Sequence, residues 1–204
     1  MITQKMIVNG LAQLGLEEDG ALADQFSAFV DDLIKWNKVY NLTAIREPGQ
    51  ILTQHIFDSL SVHAHVKGSR VIDVGTGAGF PGIPLAMLMP HRSFTLLDSN
   101  GKKTRFLQQV LINHSLGNCE VVQSRAESYA PQFDVVICRA FAALPEIVSF
   151  AGHLVAEKGE LLAMKGQLLE DSGALPNNFR VKEVHPLFVP GLDAERHLVV
   201  LGRT

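Results

Sequence analysis

The fold is decided by the stretch Val71-Ile72-Asp73-Val74-Gly75-Thr76-Gly77-Ala78-Gly79-Phe80-Pro81-Gly82. A short apolar run leads into a glycine-rich turn, and a helical pattern begins after the turn. Glycines let the backbone adopt positive φ and let a ligand approach it closely. In open α/β sheets, ligands lie beyond the carboxyl ends of the strands. The stretch therefore predicts a strand, a ligand-binding loop and a helix in succession.

The same alternation continues towards the C-terminus. Between the first five of seven β-rich runs lie helical candidates, at 82–89, 101–116 and 141–156, which is typical of βαβ units and a parallel sheet. No convincing helix separates the last two runs, so we expect an antiparallel hairpin at one edge. The prediction is a Rossmann-like α/β fold with a mainly parallel sheet of seven strands. The predicted strands are Val71–Val74, Phe94–Asp98, Cys119–Val122, Phe133–Cys138, Glu160–Met164, Phe179–Val184 and His197–Leu201.

Helices are predicted to precede the sheet. Thr3 can cap a first helix that ends near Gly15, and apolar residues at three- and four-residue spacing indicate a longer helix from about Asp19 to Tyr40. A third begins with Pro48 in its first turn and runs to about Val62. We therefore divide the chain into a helical extension, residues 1–66, packed on a core domain, residues 67–204, as one structural unit.

Composition excludes several classes of protein. The chain has 204 residues, 47% of them hydrophobic and 19% charged, which suits one globular domain. No apolar run could cross a bilayer and no secretion signal is visible, and the two cysteines, Cys119 and Cys138, are predicted to be reduced core thiols in strands. A cytoplasmic location is expected. The net charge of −3 argues against nucleic-acid binding, but residues 33–204 carry 17 basic and 15 acidic groups, which permits contact with RNA.

The glycine loop is compatible with two cofactors, NAD and SAM. Gly77, Gly79 and Gly82 fit the dinucleotide spacing, with Asp98 at about the distance of a ribose-binding acid. However, Asp73 lies within the strand, where a carboxylate would repel a pyrophosphate but could meet the cationic amino-acid end of S-adenosylmethionine (SAM). Moreover, Phe80-Pro81 falls where a pyrophosphate needs free amides, and proline has none. The loop therefore favours SAM over NAD.

Further acidic and polar residues follow the next strands. Asp98 ends the second strand, where its carboxylate can accept both ribose hydroxyls; the alternative is the N-cap of the helix at 101–116. Ser124-Arg125-Ala126-Glu127 follows the third strand, where an acidic or polar residue can meet the adenine amine. Together with the glycine loop these residues indicate a SAM site.

The end of the fourth strand narrows the chemistry. It lacks the Asn/Asp-Pro-Pro-aromatic loop of enzymes that methylate exocyclic amines. Cys138 is near enough to be weighed as the nucleophile of a pyrimidine C5 methylase, but no proline precedes it and a cation follows. Arg139 offers donors that suit the O6/N7 edge of guanine, with an ion pair to a neighbouring carboxylate as the alternative.

With these residues in view, the whole chain resembles the bacterial small-subunit ribosomal RNA methyltransferase G family, also called glucose-inhibited division protein B. The N-terminal motifs are specific, because generic SAM enzymes lack them, and the only departures fall at Ala78 and Phe80 in the variable part of the loop. The resemblance rests on Lys35-Trp36-Asn37, Asn41-Leu42-Thr43, His55-x-x-Asp58-Ser59-Leu60, the stretch 73–82, Asp98-Ser99-x-x-Lys102-Lys103, Ser124-Arg125-Ala126-Glu127, Arg139-Ala140 and Lys165-Gly166.

The resemblance implies a SAM-dependent methyltransferase that modifies N7 of one guanosine in the decoding-region loop of 16S rRNA. By the family pattern, SAM contacts fall on Gly75, Phe80, Ala126, Glu127 and Arg139. The residues themselves add the rest of the predicted cofactor site: Asp73, Gly77, Gly79, Asp98 and Ser99.

Chemistry at guanine N7 would explain the lack of an evident general base, since N7 has a lone pair and no proton. Catalysis then depends on positioning, for which we single out Arg139 and Lys165, and Arg139 must touch SAM or O6 rather than N7. No metal is predicted. A NAD-dependent oxidoreductase and a SAM-binding regulatory module without turnover stay open as alternatives.

The predicted partner is 16S rRNA, free, in the small subunit or in an assembly intermediate, and basic residues are the candidates for contacting it. A cluster at the start of the helix at 101–116 is either a phosphate-binding site, which we favour, or a solvated face. Trp36 is expected to pack in the core rather than stack on a base, whereas His55 and Asp58 either pair locally or line the substrate cleft. The candidate RNA-binding residues are Lys102, Lys103, Arg105, Arg125 and Lys165.

Overall fold

A computed structural model describes residues 2–17, 19–139, 142–166, 175–176 and 178–204. Within these ranges the chain forms a seven-stranded sheet with the strand order β3-β2-β1-β4-β5-β7-β6. The first five strands are parallel, and β7 runs antiparallel to β5 and to the edge strand β6. The predicted Rossmann-like fold and edge hairpin are confirmed. The strands are β1 Arg70–Val74, β2 Ser93–Asp98, β3 Cys119–Gln123, β4 Phe133–Arg139, β5 Val155–Lys165, β6 Phe179–Pro186 and β7 His197–Arg203.

The strand order determines where a ligand can bind. From β1 the chain adds β2 and β3 on one side, then crosses back to place β4 on the other side of β1. This reversal opens a crevice beyond the carboxyl ends of β1 and β4, because the connections on the two sides diverge there. Val74 and Arg139 end these two strands. Val74 leads into the glycine-rich turn, and Arg139 is a predicted site residue.

The helices agree with the apolar periodicity, and the predicted cap of the first helix, Thr3, is confirmed. Thr3 accepts a hydrogen bond from the Met6 amide at the start of α1, and Asp19 caps α2 through the Ala21 amide. None of the described helices has both the length and the hydrophobicity that crossing a membrane requires. The helices are α1 Gln4–Gln13, α2 Gly20–Tyr40, α3 Pro48–Ile51, α4 Asp58–Leu60, α5 Gly82–Leu88, α6 Gly101–Asn113 and α7 Leu144–Ala151.

The N-terminal helices pack on the side of the sheet that carries α5 and α6. Phe29 of α2 is fully buried, with its ring centroid 5.5 Å from that of Phe80 and 6.4 Å from that of Phe106. Trp36 packs against Phe106 and Tyr40, as expected for a core residue. One apolar cluster thus joins the N-terminal helices to the sheet domain. The division into residues 1–66 and 67–204 stays a prediction.

The third predicted helix contains a feature that the sequence did not reveal. Pro48 occupies its first turn as predicted, with Glu47 as the N-cap. Between α3 and α4, however, Leu52–Phe57 forms a π-helical turn. Such widened turns are rare and often occur at functional sites. This one carries His55, and Asp58 follows directly.

The prediction of a helix at 141–156 was wrong at its C-terminal end. α7 stops at Ala151, a 3₁₀ turn covers Gly152–Leu154, and β5 begins at Val155; the first residue of the predicted helix lies outside the described residues. The strand is irregular, since its register against β4 shifts between Phe133 and Val135. At Gly159 a Cβ would lie 2.8 Å from the Phe133 carbonyl oxygen, so only glycine fits there. Gly159 lies beyond the predicted helix and marks this irregularity in β5.

Candidate active site

The glycine loop leaves β1 and crosses the carboxyl end of β2. Gly75 and Gly77 have φ of 70° and 63°, and a Cβ on Gly75 would meet nothing within 4 Å. The backbone here is therefore open to a ligand, which a side chain would obstruct. The loop amides already donate within the protein: Gly75 and Thr76 to the Leu97 carbonyl, and Gly77 to Asp98 Oδ2. They are not arranged to hold a pyrophosphate, which argues against a dinucleotide.

Asp73 is fully buried beneath this loop. Its Oδ2 accepts hydrogen bonds of 2.7 Å from both Thr76 Oγ1 and the Gly82 amide. Its Oδ1 is buried and has no hydrogen-bond partner among the residues that the structure describes. Burial raises the pKa of the carboxyl to about 6, against the opposing effect of the two hydrogen bonds. An unpartnered buried carboxylate oxygen suits a cationic ligand, as the amino-acid end of SAM would supply.

Asp98 ends β2, and its side chain is hydrogen-bonded to the glycine loop. Its Oδ2 accepts from the Gly77 amide at 3.0 Å, and its Oδ1 accepts from the Asn100 amide at 2.8 Å. The N-cap of α6 is Asn100, which accepts from the Lys102 amide, so Asp98 does not fill the capping role weighed as its alternative. Each carboxylate oxygen keeps a lone pair for a further donor such as a ribose hydroxyl.

The end of β3 brings the remaining predicted cofactor residues to the same edge. The Ser124 amide donates to the Asp98 carbonyl at 3.2 Å, which holds the two strand ends together. Ala126 and Glu127 follow in a 3₁₀ turn, with Ala126 half-buried and Glu127 exposed. Ser99 is exposed directly after Asp98. The side chains at the ends of β1, β2 and β3 are therefore mostly acidic or small.

Phe80, which is predicted to contact the cofactor, has a buried side chain. Its ring is only 3% exposed and lies between Phe29 and the His55 ring, whose centroid is 4.5 Å away. The Arg139 guanidinium lies 5.4 Å from the ring centroid. The Phe80 side chain thus supports the loop from below, and only its backbone is left to face a cofactor.

A second concavity lies beyond the carboxyl ends of β4 and β5, with a volume of about 320 Å³. We call it the β4–β5 cleft. Its walls come from four parts of the chain: the α3–α4 segment, the strand ends, the loop before α3 and the β6–β7 hairpin. It is lined by Ile45, Gln54, His55, Asp58, Arg139, Met164, Lys165, Gly166, Leu187 and Arg196.

One buried carboxylate connects two arginines in this cleft. Asp58, 2% exposed, accepts at 3.0 Å from Arg139 through Oδ2 and at 3.0 Å from Arg196 through Oδ1. The ion pair weighed as the alternative role of Arg139 is therefore present. Arg139 also donates to the Gln54 carbonyl and to His55 Nδ1. Of its five N–H donors, two are not used by the described residues.

His55 completes the network as a neutral imidazole. Burial and the nearby Arg139 charge lower its pKa to about 3. Since arginine can only donate, Nδ1 accepts from Arg139 at 3.2 Å, and Nε2–H donates to Thr43 Oγ1 at 2.8 Å. His55 and Asp58 thus line the cleft and bind residues distant in sequence, rather than forming a local pair.

The N-terminal motifs position this imidazole. The Asn37 side chain donates to the Thr43 carbonyl and accepts from the Thr43 amide, both at 3.0 Å. Thr43 in turn holds His55, which holds Arg139. A hydrogen-bonded chain therefore runs from α2 to the end of β4, which gives the N-terminal motifs a physical role at the site.

The predicted RNA-binding cations fall into two groups. Lys102, Arg105 and Arg125 are exposed, near the ends of β2 and β3, whereas the Lys103 ammonium lies 3.8 Å from Asp98 and so faces the glycine loop. Lys165 lines the cleft and donates to the Ala142 carbonyl at 2.6 Å. RNA contact by these residues stays a prediction.

Both cysteines are free and lie in strands, as predicted. Cys138 is 1% exposed, and burial raises its pKa to about 12. Cys119 is only half-buried, and its pKa is also raised to about 12 by burial. A thiol of such high pKa is a poor nucleophile at neutral pH.

The fold is shared with solved methyltransferase structures. A SAM-dependent methyltransferase from Aquifex aeolicus superposes with a TM-score of 0.57 at 17% identity, over 82% of this chain and 96% of that one. The sheet order, the glycine loop and the acidic strand ends define a SAM-dependent methyltransferase.

The particular family follows from sequence similarity. The model of the family described as rRNA small subunit methyltransferase G matches residues 22–199, and the chain belongs to this family. Proteins of that name are 50% identical in Shewanella amazonensis, over 98% of each chain, and 53% identical in Cronobacter sakazakii, over 87% of each. The resemblance seen in the motifs is confirmed, and the oxidoreductase and regulatory-module alternatives are set aside.

Proposed function

We propose that this enzyme transfers the SAM methyl group to N7 of a guanosine in the decoding-region loop of 16S rRNA. Its family supports rRNA as the substrate. One observation carries the choice of atom: among the described residues, both side chains of the β4–β5 cleft that could accept a proton, Asp58 and His55, already have hydrogen-bond partners. Asp58 accepts from two arginines, and both His55 nitrogens are hydrogen-bonded. A reaction that needs no base suits this cleft.

Guanine N7 meets that condition because it presents an in-ring lone pair and no proton. SAM, when bound, supplies an electrophilic methyl group on a positively charged sulfur. The residues of this chain then have to hold the two reactants in line, which can contribute on the order of 7–11 kcal/mol. Since positive charge moves to the purine, neutral His55 and the shared Asp58 carboxylate reduce repulsion in the cleft.

Arg139 lies between the glycine loop and the β4–β5 cleft. Its remaining donors suit the guanine O6 or the cofactor, and Lys165, which also lines the cleft, is a second positioning group. We assign exposed Lys102, Arg105 and Arg125 to RNA phosphates. The assigned SAM contacts are Asp73, Gly75, Gly77, Gly79, the Phe80 backbone, Asp98, Ser99, Ala126, Glu127 and Arg139.

The burial of Cys138 argues against the alternative reaction, methylation of a pyrimidine at C5. A C5 methylase needs a thiolate that attacks the base, whereas this thiol is inaccessible and its pKa is raised to about 12. Cys138→Ala is therefore expected to retain methyl transfer, with about 1 kcal/mol lost from the free energy of unfolding. A covalent complex with fluoropyrimidine RNA that disappears in Cys138→Ala would overturn this assignment.

The direct test is to incubate labelled SAM with unmodified 16S rRNA and with unmodified small subunits, and to map the label. We expect one N7-methylguanosine in the decoding-region loop, and the faster substrate identifies the physiological one. Label on an exocyclic amine or a pyrimidine carbon would contradict the proposal. Because its substrate is ribosomal, we also propose that the enzyme works in the cytoplasm.

A further inference from the structure

The β6–β7 loop, residues 187–196, carries an aromatic ring that packing does not explain. Phe188 is 62% exposed. The other exposed large hydrophobic residues of the described chain are aliphatic and lie on helices or on β6. These residues belong to regular elements, whereas Phe188 lies on a connecting loop; they are Met6, Val39, Ile112, Val181 and Val184.

This loop is well anchored, so the exposure of Phe188 is not that of a frayed segment. The Leu187 amide donates to the Arg196 carbonyl at 2.7 Å, which closes the loop at its base. Val189 is 4% exposed and packs in the cluster formed with the N-terminal helices. Phe188 therefore lies between two inward-facing residues, and its ring is held out into solvent.

The two ends of this loop lie at the wall of the β4–β5 cleft, and Phe188 directly follows a residue that lines it. Leu187 and Arg196, at the two ends of the loop, both line the cleft, and Arg196 is held there by Asp58 at 3.0 Å. A cleft of about 320 Å³ is at the small end of the range for ligand pockets, so it suits a single base. An aromatic ring near this cleft would contact the nucleotide next to the bound base.

We propose that Phe188 stacks on the nucleobase next to the target guanosine, an inference that rests on the proposed function. An enzyme that acts on a base removes it from its stack, which leaves the neighbouring base without a partner. Proteins commonly recognise such splayed RNA bases by stacking them on exposed aromatic rings. Arg196, which lines the cleft at the other end of this loop, is suited to the intervening phosphate.

The experiment compares four variants in binding to the decoding-region RNA, with SAM affinity measured in parallel. Phe188→Ala is expected to weaken RNA binding about tenfold to a hundredfold, as the loss of one base–aromatic stack does. Phe188→Leu, which keeps bulk but no π face, should behave like Phe188→Ala. Phe188→Tyr should bind like wild type, and so should Val184→Ala, a matched exposed residue on β6.

A second readout follows the ring directly. Phe188→Trp in a Trp36→Phe background places the only tryptophan in the loop, since the chain has one. Its emission should change on RNA binding and respond to 2-aminopurine at the neighbouring nucleotide. Normal RNA binding by Phe188→Leu, or an unchanged tryptophan signal, would overturn the stacking role, as would a change of oligomeric state in Phe188→Ala. If wild type fails to methylate the RNA, the proposed function itself fails.

Discussion

The ends of β1 and β2 and the ends of β4 and β5 lie on the same edge of the sheet but carry opposite charge. On the first side, buried Asp73 and Asp98 lie around the glycine loop, and the Lys103 ammonium lies within ion-pair distance of Asp98. On the second side, Arg139, Arg196 and Lys165 line the cleft, and among the described residues the carboxylate that lines it with them is Asp58. The acidic side suits a cationic cofactor and the basic side suits a polyanionic substrate.

Under the proposed function, the acidic side binds the cofactor and the basic side binds the RNA. Arg139 stands at the boundary, held on the cleft side by Asp58 and lying over Phe80 of the glycine loop. Each side can therefore be disturbed by itself. Variants of the acidic side should alter cofactor affinity, and variants of the basic side should alter RNA binding and turnover.

The largest effect is expected from Asp58→Ala. It leaves two guanidinium groups facing each other without their shared carboxylate, and removing one partner of a buried pair typically costs about 3–5 kcal/mol of unfolding free energy. Because both arginines are about a quarter exposed, we expect the low end of that range, about 3 kcal/mol, with methyl transfer nearly abolished. Urea denaturation and turnover measure the two effects. Asp58→Asn is the control that keeps the shape, and stability equal to wild type in Asp58→Ala would remove the argument for a shared anchor.

Asp98→Ala should mainly affect the acidic side. Loss of ribose hydrogen bonds to a charged acceptor is expected to weaken SAM binding by about tenfold to a hundredfold. Since Asp98 also holds the Gly77 amide, circular dichroism should first verify that the fold is intact. Calorimetric affinity like that of wild type would reject the ribose assignment.

The pH dependence of SAM binding tests whether the Asp73 carboxylate contacts the cationic end of SAM. Its folded pKa, about 6, lies above the ordinary value of 3.8, so the buried carboxyl favours the protonated form and stabilises the free protein at low pH. That contribution is lost as pH rises through about 6, where ionisation leaves an uncompensated buried charge. A cationic ligand reverses the preference, so SAM affinity should increase about tenfold between pH 5 and 7. Asp73→Asn should flatten the profile; an equally steep profile in this variant would assign the titration to another group.

The smallest effect concerns the exposed cations at the start of α6. Lys102→Ala combined with Arg105→Ala should leave SAM affinity unchanged and weaken RNA binding modestly. If these side chains neutralise phosphates, the slope of log affinity against log salt becomes shallower by about 0.7 for each lost contact with single-stranded RNA. An unchanged slope would identify the cluster as a solvated face. Lys103→Ala should differ from these variants and change SAM affinity, because the Lys103 ammonium lies beside Asp98.

The sequence was most informative where structure is local. All seven strands were predicted because each is a short apolar run between turn residues, and the cap Thr3 was recognised by its residue type. The acidic side followed from one loop and the strand ends beside it. The cleft could not be assembled in this way, because Asp58 meets partners 81 and 138 residues away. No residue pattern near Arg196 signalled its role, and Phe188 resembled any loop aromatic.

The π-helical turn at Leu52–Phe57 has a consequence for how this protein tolerates insertions and deletions. It holds the Gln54 carbonyl, His55 and, one residue beyond, Asp58 against the single guanidinium of Arg139. Deleting one residue from the turn would restore ordinary helical winding there and so change which of these groups face the Arg139 guanidinium. The length of this segment is therefore part of the site.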